Sequence, residues 1–144
     1  MSKIYLASSW RNPNQPIAVT MLRAEGHEVY DFRNPSNGIS NGFRWSEIDT
    51  NWKTWSAENY REALKTPLTQ CGFNSDFDGM KWADVGVLLL PCGRSAHLEL
   101  GWMSGASKRT IVQTRDGEEA ELMALLANEV CISAAEVIRA LKLS

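Results

Sequence analysis

The sequence predicts an α/β protein built on a doubly wound, parallel sheet of about five strands, and three observations carry that expectation. Apolar runs of strand length alternate with stretches of helical spacing along the whole chain. The run Asp84-Val-Gly-Val-Leu-Leu-Leu90 is apolar on both faces, as a central parallel strand must be. Turn residues separate the runs.

The first strand is Ile4-Tyr-Leu-Ala7, which stops at the polar turn Ser8-Ser-Trp-Arg-Asn-Pro13. In the helix that follows, Ile17, Met21 and Leu22 keep helical spacing, and Gly26 supplies the stop before the strand His27 to Phe32, with His27 read as an exposed strand start. Arg33 to Gly42, rich in Asn, Pro, Gly and Ser, reads as a long polar loop. Helical material resumes near Trp45. Ser75 is placed to cap a helix through Lys81, with Ser75 and Asp78 at capping-box spacing, and this helix feeds the central strand Asp84 to Leu90. Pro91 to Ser95 turns into a helix reaching about Gly105. Arg109 to Gln113 is the fourth strand, Glu118 to Ala127 a helix, Val130 to Ile132 a short strand and Ala134 to Leu143 the closing helix. Crossovers in such sheets are right-handed and ligands bind beyond the carboxyl ends of the strands, so the loops after Ala7, Phe32, Leu90 and Gln113 share one rim.

The 144 residues carry no repeat, low-complexity tract or charge block, so residues 1–144 are read as one domain, long enough to bury a core without a cofactor. A net charge of -2 gives no basic surface for a nucleic acid polymer. Cys71, Cys92 and Cys131 are too far apart for a Cys-x-x-Cys pair, which argues against a disulfide framework or a metal site and for a reducing cytoplasm. The longest apolar stretch, Val85 to Leu90, is far below membrane-spanning length.

Glu99 draws attention through its helical neighbours. Ser95, Ala96, Trp102 and Met103 stand three or four residues away, so no Lys or Arg is placed to pair with it. It is either a first-turn carboxylate favoured by the helix dipole or a carboxylate kept ionised and nucleophilic at the mouth of the sheet. Asp78 fits a capping role; Asp76 is less accounted for, and a second carboxylate near the first suits proton transfer to a leaving group. The small residues around Gly93, Arg94 and Ser95, between a strand and a helix N-terminus, resemble an anion cradle in kind, and Arg11 shares their rim. Trp45, Ile48, Trp52 and Trp55 recur at near-helical spacing, either as a helix burying an aromatic stripe or as a lid whose rings stack on a base. Cys92 with His97 offers a thiol and a base, but nothing in the sequence orients the imidazole.

Ile4-Tyr-Leu-Ala-Ser-Ser-Trp-Arg11, Ser75-Asp-Phe-Asp-Gly-Met-Lys-Trp-Ala-Asp84 and Pro91-Cys-Gly-Arg-Ser-Ala-His-Leu-Glu-Leu-Gly101, in this order and spacing, resemble the nucleoside 2-deoxyribosyltransferase family. The resemblance implies a single-domain Rossmann-like, flavodoxin-like fold, a homodimer or larger homo-oligomer, Glu99 as nucleophile, Asp76 in proton transfer or sugar positioning, and Tyr5 holding the nucleophile. The family includes nucleoside 5'-monophosphate N-glycosidases with a Gly-Ser-x-Arg turn after the first strand; here Ser9 and Arg11 are kept and Ser8 replaces the glycine. Between Arg33 and Gly72 no family pattern can be assigned by residue. The expected activity is cleavage or transfer of the N-glycosidic bond of a small-molecule nucleoside or nucleotide, without cofactor or metal. The rival expectations are cleavage of the nicotinamide bond of NAD and a non-catalytic nucleotide-binding module.

Overall fold

A computed structural model of the protein describes residues 1–36 and 42–143; part of the expected Arg33 to Gly42 loop lies outside the described residues. In chain order the elements are β1 (Lys3–Ala7), α1 (Gln15–Ala24), β2 (Glu28–Tyr30), 3-10 turns at Trp45–Glu47 and Trp52–Thr54, α2 (Ala57–Ala63), α3 (Pro67–Trp82) and β3 (Val85–Leu89). They continue with α4 (Arg94–Gly105), β4 (Arg109–Gln113), a 3-10 turn at Leu122–Leu126, β5 (Glu129–Cys131) and α5 (Ala134–Lys142). The five strands form one sheet in the order β2-β1-β3-β4-β5, every neighbouring pair parallel. This is the expected doubly wound α/β fold, in the flavodoxin-like strand order.

The chain divides into two compact units, one comprising Met1–Asp31 and the chain from Trp82 onward, the other Phe32–Lys81. The first contains the sheet. Alternation along the strands gives it two faces. Ile4, Leu6, Val29, Val85, Val87, Leu89 and Ile111 form a core with Ala18, Val19 and Leu22 of α1 and Val137, Ala140 and Leu141 of α5. Each of the larger aliphatic side chains in it contributes roughly 1.5–3 kcal/mol by leaving water. Tyr5, Gly86 and Thr110 are in register across β1, β3 and β4. Their face is the one that receives α4, since Ser104 Oγ lies 3.0 Å from Thr110 Oγ1 and Met103 lies against Gly86. Helix α1 begins with a proline in its first turn and ends where Gly26 takes φ +90°, its N–H donating to the Arg23 carbonyl.

In the second unit α3 starts eight residues before the expected cap. Pro67 opens it, and Thr66 Oγ1 accepts from the Thr69 N–H at 3.3 Å, so the true start signal is the Thr-Pro pair. Ser75 is therefore buried in mid-helix and caps nothing, and Asp76 and Asp78 are interior helical residues. The aromatic stripe is not one helix either. Asp49 accepts from the Asn51 N–H at 2.9 Å and from Trp55 Nε1 at 2.7 Å, which turns the chain between two separate 3-10 turns. Helix α2 falls in the stretch after Trp45 where helical material is expected to resume, and Ser56 caps it in a reciprocal box with Asn59.

In the sheet unit, the expected helix from Glu118 is a 3-10 turn restricted to Leu122–Leu126, because the Glu121 carboxylate accepts from the Met123 N–H and caps the chain there. His27 is half-buried rather than exposed and precedes β2; its Nδ1 accepts from the Ser2 N–H at 3.0 Å. The remaining differences are of one or two residues at element ends. No helix among the described residues is long and apolar enough to cross a membrane.

Candidate active site

Strand β1 pairs with β2 on one side and β3 on the other, so the chain winds in opposite directions from it and leaves a crevice above the carboxyl ends of β1 and β3. Two polar side chains tie the loops that border this crevice. Ser8 Oγ donates to the Leu89 carbonyl at 2.9 Å. Asn12, fully buried, donates from Nδ2 to Ser8 Oγ at 3.1 Å and to the Pro91 carbonyl at 3.2 Å, and its Oδ1 accepts from the Asn14 N–H at 2.9 Å. A buried amide has to be matched in this way, because each unmatched polar group costs about 1–3 kcal/mol. Sequence reasoning missed both roles; the Asn12-Pro13 pair reads only as a turn.

Helix α4 opens at Arg94 with Gly93 as an extended N-cap residue that makes no side-chain capping bond. Glu99 is the sixth residue of α4, beyond the first turn, so the first-turn dipole reading does not describe it. Ala96, Leu100 and Met103 are its buried helical neighbours. The missing partner of Glu99 is a tyrosine: the Tyr5 hydroxyl donates to Glu99 Oε2 at 2.5 Å, in the range of a short, charge-assisted O–H···O⁻ bond. Tyr5 is 1% exposed, and its ring stacks on Tyr30 at 5.2 Å between centroids and 10° between planes.

Ser9 and Arg11 share the loop after β1, where Ser9 Oγ accepts from the Arg11 N–H at 3.1 Å and the Arg11 side chain is exposed. Gly93, Arg94 and Ser95 are exposed at the start of α4. The structure thus joins Tyr5 to Glu99 directly and brings Ser9, Arg11, Gly93, Arg94 and Ser95 to the same end of the sheet. A cavity of about 440 Å³ lined by Ser104, Ser107, Lys108, Arg109, Leu126 and Asn128 lies at the opposite end, where β4 begins, away from this chemistry.

Cys92 Sγ lies 3.7 Å from His97 Nδ1, but that nitrogen is 2.8 Å from the Gly93 carbonyl and so carries the proton donated there. Burial, with the charges of Glu118 and Glu99, pushes the Cys92 thiol up to about 12. A neutral thiol beside an imidazole nitrogen that already holds a proton is no nucleophile. Glu118, held by Arg115 Nε at 3.0 Å in the loop after β4, is a rim carboxylate that sequence reasoning did not single out.

Asp76, Trp45 and Trp52 belong to the second unit. Asp76 is half-buried in α3, and Asp78 pairs with Lys81 Nζ at 3.4 Å. Trp45 is the hub of an aromatic cluster, edge-on to Phe43 at 4.9 Å, Trp55 at 5.8 Å and Tyr60 at 6.0 Å. Trp52, half-buried on the next turn, has Lys53 Nζ 5.6 Å from its ring centre.

Fold and site together define a flavodoxin-order α/β protein with a tyrosine-bound carboxylate at its switch point. No family model and no curated protein matches the chain. Solved structures do. A 2-deoxyribosyltransferase from Bacillus psychrosaccharolyticus is 21% identical with a TM-score of 0.61, over 94% of this chain and 89% of that one. The CMP N-glycosidase BcmB of Clostridium botulinum is 17% identical with a TM-score of 0.51, over 96% and 97%. A conserved protein from Enterococcus faecalis V583 is 14% identical with a TM-score of 0.60, over 99% and 98%. The chain shares the fold of these proteins, and the family that its three sequence motifs resemble is represented among them.

Proposed function

We propose that this chain cleaves or exchanges the N-glycosidic bond of a nucleoside or nucleoside 5'-monophosphate, with Glu99 as the nucleophile. The observation that carries this reading is the 2.5 Å hydrogen bond from Tyr5 to Glu99 beside the switch-point crevice. The names of two proteins of the same fold, a 2-deoxyribosyltransferase and a CMP N-glycosidase, support the bond and the substrate class.

Tyr5 holds Glu99 through Oε2, and the carboxylate attacks the anomeric carbon. As the ester bond to Glu99 forms, the C–N bond breaks and its electron pair leaves with the base, which takes a proton from Asp76, directly or through water. Water or a second base then attacks the anomeric carbon, returns a proton to Asp76 and frees the Glu99 carboxylate. The first outcome is hydrolysis and the second transfer. Ser9, Arg11, Arg94, Ser95 and the backbone at Gly93 bind the 5' end, while Trp45 and Trp52 offer rings to the base. These steps use the chain's own side chains. The reducing compartment suggested by three unpaired cysteines suits an enzyme of nucleotide metabolism. We also assign a second copy of the chain as its partner, in keeping with large apolar side chains left exposed at Leu98, Trp102, Leu122, Leu125 and Ile132.

The test is release of free base from a panel of nucleosides, nucleoside monophosphates and NAD, read by chromatography, for wild type and Glu99→Gln. The amide cannot form the ester, so turnover falls by at least about a thousandfold. A folded Glu99→Gln retaining more than about a tenth of wild-type activity removes Glu99 from the role. Release from NAD alone transfers the reading to a nicotinamide glycohydrolase.

A further inference from the structure

We propose that Tyr30 is a positioning residue for the nucleophile, acting through the ring of Tyr5; the proposal rests on the role of Glu99 given above. Tyr5 and Tyr30 are direct partners in the parallel pairing of β1 with β2, so their side chains leave the same face of the sheet. Their rings stack at 5.2 Å and 10°, and both are nearly excluded from solvent, at 1% and 6% exposure.

The stack has a fixed base. Asp31, next in the chain after Tyr30, accepts at Oδ1 from Gln15 Nε2 at 2.9 Å, and Gln15 is fully buried in the first turn of α1. The end of β2 is thereby anchored to α1 although the strand is only three residues long. A flat ring at Tyr30 restricts the tilt of the Tyr5 ring in a way that an aliphatic side chain of similar size does not. The tilt of that ring sets the place of its hydroxyl oxygen, and the oxygen sets the place of Glu99 Oε2. Displacing a reacting group by about 1 Å costs on the order of a hundredfold in rate. What the stack controls is therefore rate once substrate is bound, not binding itself.

The experiment compares Tyr30→Phe, which keeps the flat ring, with Tyr30→Leu, which loses it, each alone and combined with Tyr5→Phe. Folding is checked by thermal unfolding, and Tyr30→Met replaces the leucine variant if that one does not fold. Expected are a kcat within about twofold of wild type for Tyr30→Phe, and a kcat lower by about tenfold with KM within about twofold for Tyr30→Leu. Once Tyr5→Phe has removed the hydroxyl, Tyr30→Leu should cost less than about twofold more. A role confined to core filling predicts the same loss in both backgrounds and overturns the proposal. An independent reading is the low-field hydroxyl proton of Tyr5 in the NMR spectrum, identified by its loss in Tyr5→Phe. It should persist in Tyr30→Phe and shift or vanish in folded Tyr30→Leu. A resonance unmoved in Tyr30→Leu, or absent from wild type, overturns the proposal. Should wild type release no base from any compound, the glycosidic function falls while the hydroxyl proton still decides whether Tyr30 positions Tyr5.

Discussion

Gly86 lies directly beneath Met103: a Cβ built on it would stand 2.8 Å from Met103 Sδ and 3.2 Å from Leu100 Cδ1. Because Gly86 is the register partner of Tyr5, this close approach seats α4 next to the strand that carries the hydroxyl of the Tyr5–Glu99 bond. Glu99 stands one residue before Leu100 and four before Met103, so a shift of this contact is transmitted to the carboxylate.

Gly86→Ala should therefore destabilise the fold by about 1–3 kcal/mol through overpacking and lower turnover more than it raises KM. Met103 is completely buried, so its Sδ and Cε have to shift within packed surroundings, and trimming it should relieve the clash. In urea unfolding the double variant Gly86→Ala with Met103→Ala should be less destabilised than the sum of the single variants. Strictly additive losses would show that these residues do not abut.

Cys92 is expected to be dispensable for the chemistry. With the thiol pushed up to about 12 and His97 Nδ1 committed to the Gly93 carbonyl, only about one Cys92 in ten thousand is thiolate at pH 8. Cys92→Ser should keep turnover within about threefold. In timed labelling with a thiol reagent followed by mass spectrometry, the exposed Cys71 should react well before Cys92. Faster labelling at Cys92 would restore it as a candidate nucleophile.

Stability should fall on mild acidification because of His27. Burial, reinforced by the positive chain terminus and opposed by Glu25, holds its imidazole below the usual value of 6.5. Its Nδ1 accepts the Ser2 N–H, which requires the neutral ring. Between 6.5 and the lower folded value the unfolded chain binds a proton that the folded chain does not, so stability is present above 6.5 and is lost as pH falls through that window. Urea midpoints at pH 7.5 and 5.5 should show a smaller drop in His27→Gln than in wild type. Equal drops would assign the loss to other groups.

These relationships differ in how far the sequence exposes them. The core face was legible because Ile4, Leu6, Val85, Val87 and Leu89 alternate along buried strands, a period that needs no knowledge of the partner. The Tyr5–Glu99 pair was legible only through a resemblance, since 94 residues separate its members. Asn12 and Gly86 were not legible: their meaning is a neighbour on another element, the Pro91 carbonyl for one and Met103 for the other. The start of α3 was misplaced because Ser75 and Asp78 repeat the chemistry of a cap already formed by Thr66 and Pro67. The aromatic stripe failed as a helix because one side chain, Asp49, takes two hydrogen bonds that bend the chain inside it.

The last expectation concerns phosphate. Arg11 lies in the loop after β1 and Arg94 opens α4 after β3, both exposed, with Ser9 and Ser95 beside them and no side-chain cap on the helix N-terminus. Two guanidinium groups have little reason to line the pocket of a neutral sugar, whereas a 5'-phosphate takes paired, charge-assisted hydrogen bonds from them. Ser8, which stands where the Gly-Ser-x-Arg turn that this loop resembles has glycine, directs its hydroxyl to the Leu89 carbonyl and is already occupied in joining the two loops. On the proposed function, the chain should therefore prefer nucleoside 5'-monophosphates to the matching nucleosides. A hydrogen bond to a charged group contributes roughly 1.5–3 kcal/mol, so Arg11→Ala or Arg94→Ala should lower kcat/KM for the monophosphate by about 10- to 150-fold and leave that for the nucleoside nearly unchanged. Specificity constants for both substrate types in the three proteins are the measurement. Equal losses on the two substrates, or a wild type that favours the nucleoside, would assign the rim to the unphosphorylated sugar and make transfer of a deoxyribosyl group the better account of the site.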